Sequence, residues 1–196
     1  MSRYANLTYI RDYLSSTGDL GTTQDALLQD MLDASEREIN DHTRRDFAGT
    51  AGTVYYNRYA QHQVASQALY LDEDLHTLIS LTNGDGQNIP VGSVWLEPRN
   101  SGPPYRMLRL HSAYVYTWNP DSDVIVAGTF GFSTVAPDII KRMSVRLAAF
   151  HFRMKDMGTG DVTGNSDTGE VMYPRGMPDD IKIALAPYRS RSGGVV

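Results

Sequence analysis

The join at Gly128–Phe152 limits the fold more than any other stretch of this chain. Gly128-Thr-Phe-Gly-Phe-Ser-Thr-Val-Ala-Pro137 leads straight into Asp138-Ile-Ile-Lys-Arg-Met-Ser-Val-Arg-Leu-Ala-Ala-Phe-His-Phe152. Before it, Asp123-Val-Ile-Val-Ala127 reads as an apolar, buried strand. Glycines and aromatics then make a turn, and Pro137 suits the first turn of a helix. From Pro137 to about Lys155, Ile139, Ile140, Met143, Val145, Leu147, Ala148 and Phe150 form an apolar surface broader than a solvent-facing helix needs. Sheet thus passes to helix in one short connection, and no catalytic side chain lies in it.

The rest of the pattern places helices at both ends and strands between. Leu7, Ile10 and Leu14 share a face of a short first helix. Thr22 or Thr23 caps a second helix, with Asp25 in its first turn, that runs to about Arg45. Its apolar stripe is Leu27, Leu28, Met31, Leu32, Ser35, Ile39 and His42, and its other face carries Asp25, Asp30, Asp33, Glu36 and Asp41. Strand patterns follow at Thr53–Tyr59, Ala68–Leu71, Thr77–Leu81, Ser93–Leu96 and Tyr105–His111, with Asn83-Gly-Asp-Gly86 a turn. Residues 158–176 read as a mobile arm, Asp179–Pro187 as a closing helix and 188–196 as a basic tail. The expected class is α+β: a bundle of N- and C-terminal helices with an inserted antiparallel sheet or small sandwich. The expected division is a helical part from 1–50 and 134–190, a β part at 51–133 and a flexible tail at 191–196.

Composition narrows the functional classes. Absence of cysteine excludes disulfides, thiolate metal sites and thiol nucleophiles. The start of the chain carries no secretory h-region, and no stretch reaches the ~20 apolar residues of a membrane span. Residues 1–137 hold 9 basic and 16 acidic side chains, against 9 and 7 in 138–196. An acidic body disfavours tight, sequence-independent DNA binding, which needs clustered Lys and Arg.

Patterns of residues suited to chemistry are weak. Asp72, Asp74 and His76 alternate and would share a face of an extended strand, the one constellation suggesting a metal-dependent hydrolase; a polar hairpin explains them as well. Asp161, Asn165, Asp167 and Glu170 miss the EF-hand spacing. His42 with Arg44, Arg45 and Asp46 fits a helix end offering cations to the negative dipole. His151 reads as a packed histidine between two Phe residues. Nucleophile-elbow, zincin and phosphate-loop motifs are absent. Tyr55, Tyr56 and Tyr59 suit either a sheet face or a protein interface. On residues alone no enzyme, metal or cofactor is indicated, and a ligand-binding module with the Tyr-rich sheet as platform stays open.

The two ends together resemble the head–tail connector (adaptor, or head-completion) proteins of tailed bacteriophages. The resemblance rests on Leu7-Thr-Tyr-Ile-Arg-Asp-Tyr-Leu14, on Leu27-Leu-Gln-Asp-Met-Leu-Asp-Ala-Ser-Glu-Arg-Glu-Ile39 followed by Phe47, on Gly128-Thr-Phe-Gly-Phe with Pro137-Asp-Ile-Ile140, and on Met177-Pro-Asp-Asp-Ile-Lys-Ile-Ala-Leu-Ala-Pro-Tyr-Arg189. Some 90 residues of β structure separate the second and third helices, more than in the smallest members. The resemblance implies a structural virion protein, made in the host cytoplasm. It would form a ring, commonly of twelve copies, below the portal, meeting the portal and the next neck, stopper or tail protein, while DNA passes through the lumen without specific binding. By that analogy Tyr188, Arg189 and Arg191 would contact the portal. Ile140, Met143, Leu147 and Phe150 would meet neighbouring subunits, and Asp30, Asp33 and Glu36 would face the lumen. A stopper-like tail-completion protein is the alternative within the virion.

Overall fold

The computed structural model describes residues 3–15, 22–56, 64–65, 67–112, 116–119, 122–154, 163–164, 171–172 and 176–190. They fall into two compact units, one from the stretches up to Arg44 and from Pro137 to Ser190, the other spanning Arg45–Ala136.

The first unit is helical. It contains α1 (Leu7–Ser15), α2 (Asp25–Thr43), α3 (Asp138–Met154) and α4 (Asp179–Leu185). Ile10 and Leu14 of α1, Leu28 and Leu32 of α2, and Val145, Ala148, Ala149 and Phe152 of α3 make one core cluster. Each Leu or Ile fully buried here contributes roughly 1.5–3 kcal/mol relative to exposure. The apolar spacing that marked these helices in the sequence is the spacing that fills this core. Ile39 of α2 and Ile181 and Leu185 of α4 are also fully buried.

The ends of α2 differ from the sequence expectation. Thr22 and Thr23 lie in a single 3₁₀ turn, Thr22–Gln24, and the residue at the cap position, Gln24, makes no side-chain capping bond. Asp25 does sit in the first turn, where the dipole favours it, and accepts a 2.8 Å hydrogen bond from Arg11 Nε. At the other end Arg44 adopts a left-handed conformation (φ 54°) and donates its backbone N–H to Asn40 O. A helix ending of this kind usually takes glycine.

The second unit is a single antiparallel sheet. Its strands are β1 (Thr50–Tyr56), β2 (Val64–Ala65), β3 (Ala68–Thr82), β4 (Val94–Glu97), β5 (Tyr105–Leu110) and β6 (Val124–Phe130). The order is β1-β6-β3-β5-β4, with β2 pairing the start of β3. The stretches Ala68–Leu71 and Thr77–Leu81 are therefore one strand, not two flanking a polar hairpin. The register slips between Tyr70 and Leu75, and again between Leu75 and Thr77. Across this irregularity β3 changes partner, from β5 to β6. Extra residues at such bulges bend a strand and re-aim its side chains, so the polar run Asp72–Asp74 marks a bend and not a turn. The core gathers Leu69, Leu75, Leu81, Leu108, Leu110, Val124 and Val126, with Tyr56, Ile89 and Trp118 closing it.

Two glycines at the sheet-to-helix join are required by space. A Cβ on Gly128 would lie 2.3 Å from Thr77 O and 2.8 Å from Leu75 Cδ1. Gly131 has φ 144°, and a Cβ there would lie 2.7 Å from Gly49 Cα. Gly131 N–H donates to Asp74 O and Phe132 N–H to Asp46 O, both at 2.7 Å, which fastens the turn to the middle of β3 and to the stretch before β1.

A short ladder, β7 (Thr163–Gly164) with β8 (Val171–Met172), falls within the stretch read as an arm; the remainder of that stretch, apart from Gly176, lies outside the described residues.

Candidate functional site

The bend in β3 separates the three residues that suggested a hydrolase. Asp72 is exposed, His76 is half-buried, and Asp74 is buried. Asp74 faces two arginines: Arg106 Nε donates to Oδ1 at 2.7 Å, and Arg45 Nε lies 3.5 Å from Oδ2. The longer contact is an ion pair without hydrogen-bond geometry, so Arg45 Nε and Asp74 Oδ2 have no hydrogen-bond partner. Burial lowers the pKa of Arg45, and Arg106 lowers it further, against the raising effect of Asp74. The Arg45 guanidinium also stacks 5.2 Å from the Phe132 ring centroid. A carboxylate clamped by two cations is a structural pin, since a cation ligand would have to displace both. Among the described residues no group of three or more His, Asp or Glu converges as a metal site would require.

In the helical unit, the residues expected on the acidic face of α2 have different environments. Asp30 is exposed. Asp33 accepts a 2.8 Å hydrogen bond from Gln29 Nε2. Glu36 is buried and holds Arg3: Oε2 accepts the Arg3 backbone N–H at 2.7 Å and Oε1 accepts Nε at 2.9 Å. Of the residues expected at subunit contacts, Ile140 and Leu147 are fully buried inside their own unit, while Met143 and Phe150 are half-exposed.

The sequence reading missed a groove between α1 and α3. Tyr9, Tyr13, Arg142, Met143, Val145 and Arg146 line a depression of about 240 Å³. Tyr9 and Tyr13 are 41% and 43% exposed. Tyrosine, methionine and arginine are the residue types enriched where proteins meet. The signal lay in two segments about 130 residues apart, and only the packing of α1 on α3 joins them.

At the end of α2, the surroundings of His42 disfavour its cationic form. Its pKa is lowered by burial first, then by Arg189 and Lys182, with Glu38 acting the other way. Its Nε2 is buried without a hydrogen-bond partner. His151 is half-buried, with Nε2 2.9 Å from Glu38 Oε2 and its ring edge-on to Phe150. In the tail, Tyr188 ends a 3₁₀ turn and is half-buried, Arg189 is exposed, and Ser190 N–H donates to Thr43 O at 2.7 Å. Arg191 lies outside the described residues. No described helix is long and apolar enough to cross a membrane.

No family model matches the sequence, and no curated protein matches it significantly. Solved structures do match. A chain in the neck of an empty gene transfer agent (GTA) particle, computed with C6 symmetry, aligns at TM-score 0.61 and 17% identity, over 93% of this chain and 88% of that one. A chain in the neck of the native particle, computed with C12 symmetry, aligns at TM-score 0.60 and 16% identity, over 94% and 87%. A chain of the native GTA virion gives 0.58 and 19%, over 93% and 88%. At such identities the likeness is one of fold, and it spans both units. In fold, then, this chain is similar to neck chains of gene transfer agent particles, in line with the head–tail connector resemblance carried by its two ends.

Proposed function

We propose that the protein is a structural subunit of a virion neck, forming a ring below the portal that lengthens the DNA channel and joins capsid to tail. The observation that carries this is the extent of the structural match, over nine-tenths of the chain and through both units, to chains of particle necks. The symmetries of those necks, C6 and C12, support a cyclic assembly, and twelve copies is the number we favour. A neck subunit needs surfaces more than a reaction centre. The described residues offer a tyrosine–arginine groove on the helical unit and an exposed Arg189 beside the closing helix.

Within this reading Tyr188, Arg189 and Arg191 contact the portal, and Met143 and Phe150 face neighbouring subunits with Ile140 and Leu147 supporting them from beneath. Glu36, already bound to Arg3, brings no free charge to a lumen.

The test is to add the purified protein to DNA-filled, portal-bearing capsids that lack it and to image the vertices by cryo-electron microscopy. A ring of density below the portal is expected. Vertices that stay bare, with the protein left in solution, would remove the reading.

A further inference from the structure

Two charged stripes on the helical unit match each other. On α3, Arg142, Arg146 and Arg153 fall at i, i+4 and i+11, within about 40° of one another at 100° per residue. On α2, Asp30, Arg37 and Asp41 fall at i, i+7 and i+11, within the same arc. All six are exposed. Among the described residues Arg142, Arg153, Asp30, Arg37 and Asp41 make no side-chain ion pair. The exception is Arg146, whose Nη2 lies 2.5 Å from Oδ2 of Asp180, itself about half exposed. The α3 stripe therefore reads cation, ion pair with an accessible carboxylate, cation. The α2 stripe reads anion, cation, anion. Each spans about 16 Å at 1.5 Å per residue.

The full match has one orientation, because a parallel one also pairs Arg142 with Asp30 and Arg153 with Asp41 but sets Arg37 opposite Ala149. Laid antiparallel, Arg142 meets Asp41, the Arg146–Asp180 pair meets Arg37, and Arg153 meets Asp30. A parallel arrangement leaves Arg37 opposite no carboxylate of the pair. Next to the α3 stripe lies the groove of Tyr9, Tyr13, Met143 and Val145, which gives the contact an apolar floor. Exposed ion pairs contribute little affinity alone, but they set orientation and register, while buried Tyr and Met supply the attraction.

We propose that α2 of a second copy of this chain docks antiparallel across α3, over the α1–α3 groove, in the register Arg142–Asp41, Arg146/Asp180–Arg37, Arg153–Asp30. The two stripes lie on different helices of the same unit, so α2 of one copy against α3 of the next is a pairing of unlike surfaces, the head-to-tail kind that closes into rings. The proposal rests on the neck-ring reading and refines it. It also assigns Asp30 to a protein contact in place of the lumen.

The experiment uses the full chain on portal-bearing capsids, imaged at the vertices, with circular dichroism of each variant as the folding check. Arg142→Asp and Asp41→Arg are each expected to raise the concentration needed for half-occupied vertices about tenfold or more, because like charges then face each other. Combining them in one chain restores assembly, whereas Arg142→Asp with Asp30→Arg does not. Should a reversal perturb folding, a second measurement decides. The chain has no cysteine, so Arg142→Cys with Asp41→Cys is expected to give an oxidised ladder of cross-linked subunits on the capsids, and Arg142→Cys with Asp30→Cys none. If wild type forms rings but single reversals assemble normally, or the matched swap fails to rescue, or both cysteine pairs behave alike, the docking is wrong and the neck reading stands. Rings that form with Asp41→Arg but release DNA would place Asp41 at the lumen, return Asp30 there and overturn the contact. Bare vertices with wild type would overturn both.

Discussion

Single residues in this protein hold charge in ways the local sequence hides. Asp74 stands between Asp72 and His76 in a run that looks solvated, yet it is buried against Arg45 and Arg106, 29 and 32 positions away. A buried carboxylate of this sort fixes geometry more than it adds stability, since desolvation offsets much of the attraction. His42 makes a different case, with a pH consequence. Its folded pKa lies below the ordinary 6.5 through burial and the nearby Arg189 and Lys182, so the folded state binds its proton less readily than the unfolded chain does. Its contribution is complete above the unfolded value and is lost as pH falls through the folded one. Melting temperature should therefore drop between about pH 7.5 and pH 5.5, above the carboxylate range, and His42→Gln should drop less. Parallel curves for the two proteins would show that His42 does not couple folding to pH.

Elements were legible where periodicity was unbroken. The helices at Leu7–Ser15, Asp25–Thr43, Asp138–Met154 and Asp179–Leu185 match the apolar spacing closely, because one core-facing stripe per helix is a local signal. Strand β3 was not legible as one element. Its middle is polar because the strand bends and exchanges partners there, and partner exchange leaves no local mark. The α2 cap failed for a related reason: Thr22 and Thr23 have the chemistry of a cap, but the chain tightens into a 3₁₀ turn first. The α1–α3 groove needed Tyr9 and Met143 to be seen together, which only tertiary packing provides. At this scale Gly128 is the most sensitive position in the sheet-to-helix join. Gly128→Ala pushes a methyl against the Thr77 carbonyl and Leu75, so β3 and β6 must separate locally. A loss of about 2–3 kcal/mol is expected from such overpacking, read as a lower urea midpoint with unchanged slope. An unchanged midpoint would mean the two strands have slack that the 2.3 Å approach conceals.

Among the described residues, one unit comes from a single span of the chain and the other from two. The sheet unit runs without interruption from Arg45 to Ala136 and owns its core, from Tyr56 to Val126. Residues 45–136 alone should therefore fold, giving a β-type circular dichroism spectrum and a cooperative thermal transition. A broad, non-cooperative melt would show that this core needs the helices to complete it. The helical unit is built from two segments that residues 45–136 separate in the chain. Val145 and Phe152 of α3 fill the core that Ile10, Leu28 and Leu32 begin, and Glu38 of α2 meets His151 across 113 positions of chain. During synthesis α1 and α2 therefore leave the ribosome well before the helix that covers them. They wait with apolar faces uncovered while the intervening sheet forms, a stretch in which chaperones have most to do. Under the proposed docking, the same delay acts as a safeguard on timing: the face on α3 does not exist until that helix is made, so polysome neighbours would begin no ring before each subunit is complete through it.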